Sequence, residues 1–242
     1  MIVRDIMTTT LTTVAPDDTL SHATNLLRQH QVHQLPVTRT LPVATPAHTE
    51  YQSHETIQIL EGMLTSQDVD LVVALARQEA SSDALHRSWQ ERHVVEVMHR
   101  AIIRVTPITS VAAAAQILVE RGLNYLPVVE YQQVQQETQP LLVGLLTRSD
   151  FLLALARAMG AFEPGMQLDI MLPLGSTEPL AEALRIAAEL HVQVRSIIAA
   201  PLASPVPLIA TLRIGTINPT VFLVRLQEAS IQYSLVDGET HG

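Results

Sequence analysis

Apolar positions along this chain follow two alternating rhythms. After Pro16-Asp17-Asp18-Thr19, the residues Leu20, Ala23, Leu26 and Leu27 recur at helical spacing, which predicts an amphipathic helix capped by an Asp or Thr side chain. Leu35-Pro36-Val37 then predicts a short apolar strand. A polar loop rich in Thr, Pro and His leads to a second strand over 57–64 and a second helix over 66–80. The order returns with a helix over 111–121 broken at Gly122, strands over 125–129 and 141–146, and a helix over 148–159. With an opening strand in each copy, the pattern is β-α-β-β-α written twice. Residues 81–93 between the copies are polar and predict a connecting helix, with Trp89, the sole tryptophan, as a packing anchor. The stretch 161–165, which contains Pro164-Gly165, predicts a linker. Beyond it, strands over 166–173, 194–199, 208–214 and 231–236 surround helices over 178–191 and 218–229. The first of these helices shows Leu180, Leu184, Ala187 and Leu190 on one face, and the order βαββαβ is the ferredoxin-like plan.

The echo extends to individual residues. Val3-Arg4-Asp5-Ile6-Met7 returns as Val94-Val95-Glu96-Val97-Met98, Val14-Ala15-Pro16 as Val105-Thr106-Pro107, and Leu35-Pro36-Val37 as Leu126-Pro127-Val128, all at an offset of 91. Each copy closes on Gly62-Met63-Leu64-Thr65-Ser66-Gln67-Asp68 or Gly144-Leu145-Leu146-Thr147-Arg148-Ser149-Asp150, where the offset is 82 because nine extra residues lie in the first copy's loop. A two-fold repeat with a polar motif at the end of each copy implies paired clefts rather than a solenoid.

Composition narrows the chemistry. The 242 residues are 47% hydrophobic and 16% charged, enough to pack one or two domains. Cysteine is absent, which removes disulfides, thiolate nucleophiles and the common structural zinc sites. All fifteen basic residues are arginine, so a Schiff-base lysine and a phosphate-loop lysine are excluded. A net charge of -9 argues against broad nucleic-acid binding. The segment 1–7 lacks the apolar run of a signal peptide, and the uncharged stretch 196–212 is interrupted by Pro201, Pro205 and Pro207. A cytoplasmic protein without a membrane span is the expectation.

The closing motifs carry the candidate chemistry. A helix beginning near Thr65 or Thr147 offers free amides and a positive dipole end to a phosphate, to which the threonine hydroxyl can also donate. Asp68 or Asp150, one turn on, can accept from both hydroxyls of a ribose. Thr-x-x-Asp is equally a capping box that needs no ligand, so both readings stand. Arg148 follows the second threonine where Ser66 follows the first, which favours the Asp150 cleft for a phosphate. His30 and His33 form an H-x-x-H with no acid or cysteine to complete a metal set, and His48 and His54 read as solvated. No nucleophile, acid and base constellation assembles, so catalysis is not expected.

Gly-x-x-Thr-x-x-Asp in both copies, each preceded by Leu-Pro-Val, resembles a tandem cystathionine-β-synthase (CBS) domain pair over roughly residues 1–158. The resemblance implies a regulatory adenine-nucleotide sensor, with repeats over 1–80 and 94–160. It implies contacts from Thr65, Asp68, Thr147, Arg148 and Asp150, and adenine beside Val14, His33, Leu35 and Pro36 or beside Val105, Tyr125, Leu126 and Pro127. AMP, ADP and ATP are the implied ligands, with S-adenosylmethionine, NAD and a cyclic dinucleotide sharing the same adenosine and magnesium left open. It also implies a homodimer that signals to a regulated protein. Residues 166–242 resemble an ACT domain, a ferredoxin-like fold that often binds amino acids, although the turn Pro173-Leu174-Gly175-Ser176-Thr177 has a glycine without the family's usual flanks. A dimerising or docking module without a ligand fits that unit equally. The overall layout is similar to that of bacterial acetoin-utilisation regulatory proteins. The rival reading from another class is an interaction scaffold whose clefts are structural.

Overall fold

In the computed structural model, residues 1–42, 56–79, 88–134, 136–199, 206, 208–216 and 218–235 are described, and the chain divides into two compact units, Met1–Phe151 and Leu152–Gly242. Both are mixed α/β.

The first unit contains α1 (Leu20–Gln29), β1 (Gln34–Pro42), β2 (Thr56–Thr65), α2 (Ser66–Glu79), α3 (Val111–Glu120), β3 (Tyr125–Val134), β4 (Glu137–Thr147) and the first turn of α4 (Arg148–Ala158). Thr19 caps α1 by accepting from the His22 amide at 3.2 Å, and Ser110 caps α3 by accepting from Ala113 at 3.1 Å. Leu20, Ala23 and Leu27 are buried and Leu26 is half-buried against the same cluster, as the helical spacing predicts. Strands β1/β2 and β3/β4 are antiparallel hairpins that meet at Ile59 and Leu141, giving one sheet in the order β1-β2-β4-β3. Each hairpin has a bulge at the same place, after Val37 and after Val128.

Three expectations change. The opening strand of each copy is a single parallel bridge, Val14 to Val37 and Val105 to Val128. The strands at Leu35 and Leu126 run well past Val37 and Val129, because their hairpin partners continue alongside them. In the expected helix over 81–93, the described part, 88–93, holds only a 3-10 turn at Trp89–Glu91. Backbone groups there are used across the chain instead: Leu20 N donates to Arg92 O at 2.8 Å and Val94 N to Asp18 O at 2.9 Å. Trp89 does pack, half-buried, against the first copy's core. The nine-residue excess with His48 and His54, and Pro201, Pro205 and Pro207, lie outside the described residues.

The copies exchange their leading segments. Val3 is fully buried among Val105, Ala114, Leu118, Leu126, Val128 and Leu146 of the second copy, while Val94 and Met98 pack on Val14, Leu20, Leu35, Val37 and Leu64 of the first. Val3 N donates to Thr109 O at 2.8 Å, and Val95 N to Pro16 O at 2.9 Å. Further along, Thr8 bridges Leu145 and His99 bridges Met63, with reciprocal backbone bonds of 2.8–2.9 Å. This crossing explains the motif glycines. A Cβ on Gly62 would stand 2.7 Å from His99 O, and one on Gly144 2.6 Å from Met7 Sδ.

The second unit runs β5 (Met166–Met171), α5 (Glu178–Glu189), β6 (Gln193–Ile198), β7 (Ile209–Gly215), α6 (Thr220–Glu228) and β8 (Tyr233–Leu235). This is the expected succession, folded into an antiparallel sheet in the order β6-β7-β5-β8. Its core joins Leu168, Ile170, Leu212 and Ile214 to Ala183, Ile186, Phe222 and Leu226. The buried line of α5 is therefore Ala183, Ile186 and Ala187, with the expected Leu180, Leu184 and Leu190 half-buried around it. In the turn before α5, Leu174 adopts φ 53° and is 99% exposed.

Candidate functional site

The hairpins end on the two Thr-x-x-Asp motifs, so each threonine sits where a strand becomes a helix. Thr65 N and Thr65 Oγ1 donate to Asp68 Oδ2 at 2.8 and 2.7 Å, and Asp68 N donates back to Thr65 Oγ1 at 3.3 Å. At the second motif the corresponding distances are 2.7, 2.7 and 3.4 Å between Thr147 and Asp150. Both motifs are closed capping boxes, with each threonine proton committed to its own aspartate. The other carboxylate oxygen reaches the opposite copy's leading segment. Asp68 Oδ1 accepts from His99 Nε2 at 2.8 Å, and Asp150 Oδ1 accepts from Thr8 Oγ1 at 3.2 Å.

Both helix starts open on one cleft of about 710 Å³. Thr65, Ser66 and Asp68 line it from the first copy, Thr147, Arg148 and Ser149 from the second, with His33, Tyr125, Asn124 and His99 around them. The loop before β1 is tied to the first helix start, where Ser66 N donates to His33 O at 2.9 Å, and the loop before β3 to the second, where Arg148 N donates to Asn124 O at 3.3 Å. Arg148 is exposed and turns its Nε onto Leu123 O at 2.9 Å. The Tyr125 phenol is raised above its ordinary 10.0, first by burial and then by the Asp68 charge nearby. At neutral pH it is therefore a hydroxyl donor.

Of the residues singled out from sequence, Thr65, Asp68, His33, Tyr125, Thr147 and Arg148 line this cleft. Asp150 does not, and stands beside Thr8. Val14, Leu35, Val105 and Leu126 are buried in the cores of the two copies, and Pro36 and Pro127 are buried in the same strands. Thr8 and His99 were not among the sequence candidates, yet the 91-residue offset that pairs Met7 with Met98 pairs these two as well. Among the described residues no group of three or more His, Cys, Asp or Glu is placed to hold a metal, and no helix is long and apolar enough to cross a membrane.

Residues 3–41 and 94–157 match the CBS domain. The chain therefore carries tandem CBS domains; the first match ends before the Gly62–Asp68 motif, whereas the second includes its counterpart. The CBS domain-containing protein YhcV of Bacillus subtilis (strain 168) is 26% identical over 148 residues, which span 61% of this chain and 81% of that protein. Among solved structures, an acetoin utilization protein (AcuB) from Vibrio cholerae is 25% identical with a TM-score of 0.45, covering 68% of this chain and 98% of its own. CBSX2 in complex with AMP is 22% identical with a TM-score of 0.42, covering 64% and 95%.

Proposed function

We propose that this protein is a regulatory sensor of an adenine nucleotide, with AMP, ADP or ATP held by its CBS pair. CBS domain pairs are regulatory modules that bind adenosine ligands. The observation that carries the reading is the convergence of two helix N-termini, each with a Thr-x-x-Asp motif, on one 710 Å³ cleft of a size suited to a small ligand. Phosphates would lie at the two helix starts, beside Gln67, Ser149, His33 and the Arg148 guanidinium. A ribose would take the outer oxygen of Asp68 in this cleft, or that of Asp150 at its own motif beside Thr8. S-adenosylmethionine and NAD share the adenosine but fill the phosphate region differently. Occupancy is transmitted because the ligand bridges groups from both copies and so favours one arrangement of them. We extend the reading to a cytoplasmic homodimer that acts on a partner protein. Residues 166–242 serve as an ACT-type module, for which the βαββαβ order and antiparallel sheet are the support, and an amino acid is its candidate effector.

The closed capping boxes favour one rival, an interaction scaffold in which Asp68 and Asp150 only terminate helices. Calorimetric titration with AMP, ATP and S-adenosylmethionine separates the two. The sensor reading expects saturable AMP or ATP binding by the parent that weakens at least tenfold in Asp68→Ala or Asp150→Ala. The scaffold reading expects no heat, and variants that lose about 1 kcal/mol of stability with the cap.

A further inference from the structure

The two motif aspartates are built alike but guarded unequally. Each spends Oδ2 on its own helix start, which leaves Oδ1 as the oxygen a ribose would need. In both copies that oxygen is already taken by the residue that follows the methionine of the exchanged segment. At Asp150 the occupant is the neutral Thr8 hydroxyl at 3.2 Å, beyond the usual range for O–H···O. At Asp68 it is the His99 imidazole at 2.8 Å, a bond that becomes charge-assisted when the ring is protonated. His99 is held by the backbone, through paired bonds to Met63, while its side chain is 59% exposed. A ligand can therefore displace the ring without disturbing the chain.

Resting on the nucleotide reading above, we infer that His99 is a competing latch on Asp68, so that a ribose occupies Asp150 first and reaches Asp68 only by displacing the imidazole. The titratable and charged groups facing it are Asp68 on α2, Tyr125 on β3, His33 before β1 and Arg148 on α4. The His99 side chain meets Asp68.

The test is calorimetric titration with AMP. It uses the parent, Asp68→Asn, Asp150→Asn, His99→Thr, Thr8→His and the double swap Thr8→His/His99→Thr. The aspartate variants assign each binding event to its motif. In the parent, the Asp68 event is expected to be about five- to tenfold weaker than the Asp150 event. His99→Thr abolishes the gap, and the double swap reverses it, so that the Asp150 event becomes the weaker one. The inference alone is overturned if AMP binds the parent and His99→Thr leaves the Asp68 event unchanged, or weakens it, which would make His99 a ligand contact. AMP binding to none of these proteins defeats the nucleotide reading and this inference with it.

Discussion

Tyr125 opens β3 with its ring half-buried and its hydroxyl in the cleft near Asp68. Burial and then that carboxylate hold its phenol above 10.0. A group whose ionisation is raised on folding contributes stability that is fully present below its unfolded value and is lost as pH rises through its folded one. Melting temperatures measured at about pH 8 and about pH 11 should therefore fall more steeply for the parent than for Tyr125→Phe. In Asp68→Asn, ultraviolet titration should find the Tyr125 phenolate forming at lower pH. At this scale the threonines and aspartates were legible because a capping box is local: its residues lie three apart, whatever the rest of the chain does. Val14, Leu35, Val105 and Leu126, expected beside adenine, are buried core residues, and an apolar residue beside a cleft reads the same in sequence as one beneath it. Thr8 and His99 escaped notice because their contact depends on register between copies, which no local spacing encodes.

Among the elements, the hairpins show most clearly what the repeat requires. Gly62 and Gly144 occupy equivalent places, yet their neighbours differ in compliance. At Gly62 the nearest atom is the His99 carbonyl oxygen at 2.7 Å, part of a bridged backbone that cannot retreat. At Gly144 it is the Met7 sulfur at 2.6 Å, the far end of a flexible side chain, with Thr8 O further off at 3.2 Å. Gly62→Ala should accordingly destabilise by about 3 kcal/mol and Gly144→Ala by about 1 kcal/mol, as denaturant unfolding will measure. The helices and hairpins themselves were readable from apolar spacing, and so was the succession of strands in 166–235. The helix expected over 81–93 was not found in its described part, because polar composition cannot reveal that Arg92 and Val94 spend their backbone groups on the first copy.

Across the whole first unit, position in the chain and position in the core part company. Val3 belongs to the first copy by sequence and to the second by packing. Val3→Ala should cost about 2 kcal/mol. Hydrogen exchange should report that loss at the amides of Leu126 and Val128, before those of Leu35 and Val37. The sequence repeat puts its boundary over 80–94, but packing places the leading segment of each copy in the other. A single copy made alone would thus carry a segment with no seat and a seat with no segment. Its twin supplies what it lacks, and the chain reads as such a pair of interlocked subunits made permanent by one peptide connection. Severing that connection would leave two halves still clasped.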